Sequence, residues 1–156
     1  MRNGGLLRKL LNHCRRIKCH KGIDEHWGDM KLIIFYDGGC PLCVHEMRQL
    51  KRRDKNQQIQ FEDVHGEGFS ERFPQIDVQH ANTILHGQRA SGELIYGLDV
   101  TYEAWSLVGR GWLIAPLRWP GIRFIADKVY LWFARNRYRI SKTLTGKARC
   151  ERCSMD

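Results

Sequence analysis

Two cysteines that are two residues apart, Cys40 and Cys43, lie where an apolar run meets a helix-like run. The apolar run, residues 31–36, lacks the alternation of a half-exposed strand, which predicts a central strand covered on both faces. A glycine turn follows it, and Pro41 suits the first position of a helix, where its missing N–H costs nothing. The sequence therefore predicts that Cys40 lies at the N-terminus of a helix that begins directly after a buried strand.

The segments that follow complete an α/β plan. Residues 41–53 have apolar side chains at helical spacing, and residues 59–64 alternate well enough for a second strand. Residues 81–86 and 93–96 predict a β-hairpin whose loop is residues 87–92, and another helix follows the hairpin. A strand, a helix and a strand, then a hairpin and a helix, is the order of a thioredoxin-like core.

Four regions are expected along the chain. Residues 1–29 form a basic N-terminal extension, and residues 30–110 form the thioredoxin-like core with the Cys-Pro-Leu-Cys motif. Residues 111–145 form a basic helical C-terminal extension packed on the core, and residues 146–156 form a flexible tail with two more cysteines. Met30 immediately precedes the first strand and is a candidate start of the native protein.

The helical extension contains a regular apolar stripe between its arginines. The stripe consists of Ile122, Ile125, Ala126, Val129 and Phe133. Because such a stripe usually faces the core while arginine stems cover its edges, we expect it to be buried against the core.

The cysteine pair has the spacing of a thiol–disulfide exchange site. A helix N-terminus favours a thiolate, and a second thiol one turn later can resolve a mixed disulfide. Cys40 is therefore the predicted nucleophile and Cys43 the predicted resolving thiol. Asp37 and Glu46 are the nearest acids, and either could accept the proton of Cys43, although Asp37 also suits the turn itself.

Three segments resemble the DCC family of predicted thiol-disulfide oxidoreductases. Residues 37–46 read Asp-Gly-Gly-Cys-Pro-Leu-Cys-x-x-Glu after an apolar strand, and this motif is fairly specific. Residues 97–105 (Gly-x-Asp, then Ala-Trp) and residues 134–139 (Ala-Arg-Asn-Arg-Tyr-Arg) support the resemblance, which extends over residues 31–141. The resemblance implies a thioredoxin-like fold and activity of the protein disulfide reductase type.

The sequence departs from thioredoxins proper at one position. Thioredoxins place a cis-proline opposite the two cysteines, just before the third core strand. Here residues 80–82 are His-Ala-Asn, and the nearest proline is Pro74. We therefore expect the edge at which substrates dock to differ from that of thioredoxins.

The remaining cysteines leave a second interpretation open. Cys150 and Cys153 could join the first pair in a four-thiolate zinc site, or could pass electrons to it as a flexible shuttle. Cys14 and Cys19 form another close pair. The alternative function is thus a zinc-binding module that contacts nucleic acid or a membrane surface.

The net charge of +9 is concentrated at the two ends of the chain. Residues 1–30 have seven Lys or Arg and three Asp or Glu, residues 31–109 have eight and eleven, and residues 110–156 have eleven and three. Basic ends can attract acidic proteins, anionic lipid or nucleic acid, but charge alone identifies no partner. We expect at most a weak contact with an anionic surface and no nucleic-acid function.

The expected function is thiol–disulfide exchange in the cytoplasm. The sequence shows neither the apolar core of a signal peptide nor the ~20 apolar residues of a membrane span. In a reducing compartment, such a cysteine pair is more often catalytic or metal-binding than structural. The expected substrate is a disulfide-containing protein or a small thiol compound. The expected site contains no organic cofactor and no metal.

Overall fold

The computed structural model describes residues 30–149 and Met155. The predictions for residues 1–29, Cys150 and Cys153 lie outside the described residues.

A four-stranded mixed sheet in the order β2-β1-β3-β4 forms the centre of the described chain. The strands are β1 (Leu32–Tyr36), β2 (Ile59–Asp63), β3 (His86–Arg89) and β4 (Leu94–Tyr96). Strand β2 runs parallel to β1, whereas β3 is antiparallel to both β1 and β4. All five residues of β1 are buried, so the prediction of a central strand covered on both faces is confirmed.

Within residues 30–149, five α-helices and two short 3-10 helices surround the sheet. The α-helices are α1 (Pro41–Arg53), α2 (Phe69–Arg72), α3 (Val78–Ala81), α4 (Leu98–Leu107) and α5 (Pro120–Thr145). The 3-10 helices, Gly111–Leu113 and Ala115–Arg118, join α4 to α5. Helix α1 has the predicted bounds, and the element order is that of the predicted thioredoxin-like fold.

The two faces of β1 contribute to two apolar cores. Leu32, Ile34 and Tyr36 cluster with apolar residues of α1 and α4. Ile33 and Phe35 point to the opposite face and cluster with residues between β2 and β3. Full burial of such a side chain contributes about 1.5–3 kcal/mol. The end of β1 is therefore held firmly, and so is the turn that carries Cys40.

The predicted hairpin is present, but its first strand lies further along the chain. Strand β3 is His86–Arg89, whereas the sequence placed the strand at residues 81–86 and the loop at residues 87–92. Gly87 suggested a turn, yet its role is in packing, because a Cβ there would lie 3.0 Å from Val100 Cγ1. The predicted position was wrong because this glycine permits the close approach of α4.

Helix α5 packs on the core through small and polar residues. Ala126, Ala134 and Ser141 are buried, whereas Ile125 and Val129 are 63% and 58% exposed. The prediction that the large apolar stripe is buried against the core was therefore wrong. Of its five residues, only Ala126 is buried. Small side chains allow the helix backbone to approach the core closely, which turns the larger residues towards the surface.

Candidate functional site

A tight turn between β1 and α1 places the two cysteines. The Gly39 N–H donates to Asp37 Oδ1 at 2.8 Å, and the Cys40 N–H donates to the Asp37 carbonyl at 3.1 Å. The Gly38 N–H donates to Asp63 Oδ1 at 3.0 Å, and the Asp63 carboxylate occupies the space that a Cβ at Gly38 would need. Glycine at this position therefore admits an acidic side chain of β2.

Cys40 is the N-cap residue of α1, as the sequence predicts. The Cys43 N–H donates to Cys40 Sγ at 3.4 Å, and the Cys43 thiol donates to the same sulfur at 2.7 Å. These two hydrogen bonds stabilise a thiolate. The bond from the Cys43 thiol is the largest cause that lowers the pKa of Cys40 to about 7, and the charge of Arg137 adds to it. Burial of Cys40 acts in the opposite direction.

Cys43 has the complementary character. Donation of its proton to Cys40, together with burial, raises the pKa of the Cys43 thiol well above its ordinary range. Cys40 therefore loses its proton first, and the proton that remains in the pair stays on Cys43. This division is the one that a nucleophile and a resolving thiol need.

The Cys40 sulfur is less accessible than the sequence suggests. An exchange site needs a thiolate that a partner can reach, but Cys40 has 0% exposure and Cys43 is only partly buried. The side chain of Arg149 lies against Gly39, the residue before Cys40, and its guanidinium lies 5.8 Å from the centre of the Tyr138 ring. The segment that follows α5 therefore lies beside the thiol pair.

Asp37 is buried and has a hydrogen-bond or ionic partner for each carboxylate oxygen. Oδ2 accepts from Arg137 Nη2 at 2.7 Å and from the Tyr138 hydroxyl. Oδ1 accepts from Gly39 and lies 3.4 Å from His65 Nε2. Both carboxylate oxygens are therefore already engaged by neighbouring groups. The geometry therefore favours a positioning role for Asp37 over the role of base.

Arg137 connects this carboxylate to the thiol pair. Its Nη1 donates to Cys43 Sγ at 3.8 Å, and its Nη2 also donates to the carbonyl oxygen of Asn82. Burial opposes the charge of Arg137, but Cys43, Tyr138 and Asp37 outweigh it and raise the pKa of the guanidinium. A permanent positive charge thus lies beside the two sulfurs.

The sequence analysis did not identify Arg137, Tyr138 or His65 as site residues. Arg137 lies in a run of arginines, and composition does not show which one is buried. Its spacing of three from Ala134 and four to Ser141, both small, is the signal that could have placed it on the packed face of α5.

Glu46 lies three residues after Cys43, about one helical turn further along α1. The two side chains line a cavity of about 40 Å³ together with Tyr130, Phe133 and Arg137. A cavity of this volume is large enough for water. Burial raises the pKa of Glu46 despite a hydrogen bond from Trp105, and burial also raises the pKa of Tyr130 to about 12.

Helix α5 covers the edge at which thioredoxins carry their cis-proline. None of the described peptide bonds is cis. The Asn82 carbonyl instead accepts from Arg137, and the Leu85 N–H donates to the Tyr130 hydroxyl at 3.1 Å. Two backbone groups that border this edge are therefore occupied by α5.

The described residues contain no group of three or more His, Cys, Asp or Glu side chains that could hold a metal ion. A zinc site that includes the cysteines near the C-terminus would involve residues outside the described part, so the zinc alternative remains a prediction.

Comparisons with known proteins agree with the resemblance found in the sequence. A family model described as DCC1-like thiol-disulfide oxidoreductase matches residues 34–143. An uncharacterized chloroplastic protein of Arabidopsis thaliana is 28% identical over 119 residues, which are 75% of this chain and 54% of that protein. The chain thus spans little more than half the length of this relative. No solved structure matches the chain significantly.

Proposed function

The chain belongs to the DCC1-like thiol-disulfide oxidoreductase family, and on that premise we propose that Cys40 and Cys43 are its redox-active pair. The observation that carries the proposal is the geometry of the two sulfurs, which lie 2.7 Å apart with the Cys43 thiol donating to Cys40, whose pKa is lowered to about 7. The substrate class is a disulfide in a protein or in a small thiol compound.

The reaction begins at the Cys40 thiolate. The thiolate attacks one sulfur of the substrate disulfide, forms a mixed disulfide with it and releases the other substrate sulfur as a thiolate. Cys43 then loses its proton and attacks the Cys40 sulfur, which releases the second substrate thiolate. The substrate gains two electrons, and the protein is left with a Cys40–Cys43 disulfide. A dithiol reductant, or two molecules of a small thiol, returns the protein to its reduced form.

Glu46 is the proposed acceptor of the Cys43 proton. Cys43 must be deprotonated for the second step, although its pKa is raised in the resting pair. The cavity between Cys43 and Glu46 can admit water that carries the proton to the carboxylate. Because the pKa of Glu46 is raised, its carboxylate is a stronger base than an exposed one.

Arg137 and Asp37 are proposed to position the pair. Arg137 favours negative charge on either sulfur, and Asp37 holds Arg137 and the turn in place. Neither residue transfers a proton in this scheme.

Substitution of the resolving thiol tests the proposal directly. In Cys43→Ala, the mixed disulfide on Cys40 cannot be resolved, so incubation with glutathione disulfide should yield a stable glutathione adduct on Cys40. Peptide mass mapping before and after reduction locates and measures it. Cys40→Ala is the control and should form no comparable adduct at residue 43. A folded Cys43→Ala variant without an adduct on Cys40 would falsify this order of steps.

A further inference from the structure

A large apolar surface lies exposed on α5 and on the segment that leads into it. Its most exposed members are tryptophans and branched aliphatic residues: Trp112, Trp119, Ile125, Val129 and Trp132. Contiguous apolar surface of this kind usually marks an interaction site. None of the helices among residues 30–149 is long and apolar enough to cross a membrane.

Part of this surface is a groove. A concavity of about 440 Å³ lies between the outward face of α5, the start of α4 and the second 3-10 helix. Ile125, Val129 and Trp132 line it from α5, and Leu98 and Leu117 close the opposite side. A groove with almost entirely apolar walls can receive apolar side chains, as in helix-in-groove recognition.

The groove shares part of its wall with the cavity that Cys43 lines. Tyr130 and Phe133 line both the groove and the cavity that contains Cys43. Helix α5 also covers the Asn82 and Leu85 backbone groups through Arg137 and Tyr130. A polypeptide seated in the groove would therefore lie against two of the residues that enclose the Cys43 cavity.

The charge around the groove restricts its occupant. Helix α5 contains six basic residues and one acidic residue. At about 100° per residue, Lys128, Arg135 and Arg139 lie beside the apolar stripe. A second copy of α5 would bring like charges together, and residues 1–29, with seven basic and three acidic side chains, would do the same. An occupant with acidic flanks is the complementary choice.

We propose that this groove, lined by Ile125, Val129, Trp132 and Phe133, binds an amphipathic segment of the substrate protein that is apolar on one side and acidic on the other. The segment brings the substrate disulfide to Cys40 and Cys43, so the inference rests on the proposed function. A concave groove that shares a wall with the Cys43 cavity suits a polypeptide better than a bilayer, which presents a broad surface.

Binding of cysteine-free peptides tests the groove without the redox chemistry. The probe is a fluorescein-labelled amphipathic peptide with leucines on one helical face and glutamates on the other. Two comparison peptides have lysines in place of the glutamates or serines in place of the leucines. Fluorescence anisotropy should give a Kd for the first peptide at least about tenfold below that of either comparison.

The matched variants locate the binding site. Ile125→Ser with Val129→Ser should raise the Kd of the acidic peptide about tenfold, because two apolar contacts are lost. Phe124→Ser is the control, since Phe124 is 66% exposed on the same helix but does not line the groove, and its Kd should stay within about twofold. Equal binding of all three peptides, or an unchanged Kd in the double variant, overturns the proposal.

Turnover and vesicle binding separate the remaining explanations. With a disulfide-bridged form of the acidic peptide, the double variant should show a raised KM and an unchanged kcat. If the wild-type protein reduces neither this peptide nor glutathione disulfide, the proposed exchange function is wrong. The anisotropy measurement still shows whether the groove binds the acidic peptide. If the double variant loses binding to phosphatidylglycerol vesicles while peptide binding stays the same, the surface faces a membrane and the proposal is wrong.

Discussion

Arg137 has a full charge at 6% exposure, and its two terminal nitrogens, Nη1 and Nη2, have hydrogen-bond partners. Its Nε is buried and has none among the described residues. Asp37 balances the charge at 2.7 Å, and the Asn82 carbonyl and Tyr138 hydroxyl accept further hydrogen bonds. Removal of one partner of a buried ion pair typically costs about 3–5 kcal/mol, since the other charge is left unpaired. A single substitution in the Arg137–Asp37 ion pair should therefore change both the stability of the fold and the chemistry of the thiols.

We predict that Arg137→Gln lowers the free energy of unfolding by about 3–5 kcal/mol and raises the pKa of Cys40 above about 7. Asp37→Asn combined with Arg137→Gln should recover most of the stability, because no buried charge remains alone. The pKa of Cys40 should stay raised in the double variant, although by less. Urea unfolding and the pH profile of iodoacetamide reaction measure the two effects. An alkylation midpoint still near 7 in the double variant would give Arg137 a purely structural role.

Glu46, the proposed proton acceptor, should lower the free energy of unfolding at neutral pH. Its folded pKa is raised, so its contribution to stability is fully present below the unfolded pKa, about 4.3, and is lost as pH rises through the folded pKa. We predict that Glu46→Gln unfolds at higher urea at neutral pH, with a gain of roughly 1 kcal/mol, and loses this part of the pH dependence.

The same variant should resolve the mixed disulfide more slowly. Loss of a positioned proton acceptor typically costs a factor of about 10² or more. Stopped-flow release of thiol from a preformed mixed disulfide measures this step. Glu67→Gln, which changes an exposed acid, is the matched control for both measurements. Unchanged resolution in Glu46→Gln would move the proton acceptor elsewhere.

At the scale of elements, the N-terminus of α1 contributes less to the thiolate than its hydrogen bonds do. A helix dipole supplies about 0.3–1 kcal/mol to a nearby anion. The lowering of the Cys40 pKa from 9.0 to about 7 corresponds to roughly 3 kcal/mol at about 1.36 kcal/mol per unit. The hydrogen bonds from Cys43 must therefore supply most of the difference, which is why the cysteine spacing matters more than helix position alone.

The segment that follows α5 lies beside the turn that carries Cys40, and we expect it to limit access to the thiol. Arg149 lies against Gly39, and Ser141 fixes the start of the segment by donating to the Lys147 carbonyl at 2.8 Å. We predict that Arg149→Ala increases the rate at which iodoacetamide alkylates Cys40 severalfold at a pH where the thiolate is fully formed. Lys147→Ala is the control and should leave the rate unchanged. Equal rates in both variants would show that Arg149 does not shield the thiol.

At the scale of the whole molecule, one long helix joins three features that are distant in the chain. Helix α5 supplies Arg137 to the thiol pair, covers the Asn82 to Leu85 edge, and presents its apolar stripe to solvent. The buried face of the helix uses small and polar residues, which leaves the large apolar residues free for binding. The redox site and the proposed docking surface therefore both depend on how α5 is rotated about its own axis.

The sequence by itself determined the parts that depend on neighbours in the chain. The unalternated run of β1, Pro41 at the first helical position and the spacing of Cys40 and Cys43 predicted a buried strand, a helix and a capped thiol. These features are local, because propensity and hydrogen bonds within a few residues decide them. The motif around Asp37 also predicted the family.

Only the tertiary structure decided which face of α5 is buried and which arginine reaches the sulfurs. Both faces of that helix carry a helical repeat, one of small residues and one of large apolar residues, so periodicity alone favoured the wrong face. Arg137 and Asp37 are 100 residues apart, and their pairing depends on how α5 crosses the end of β1. The tertiary structure also decided that Gly87 lies in a strand, because the close approach of Val100 is a contact between β3 and α4.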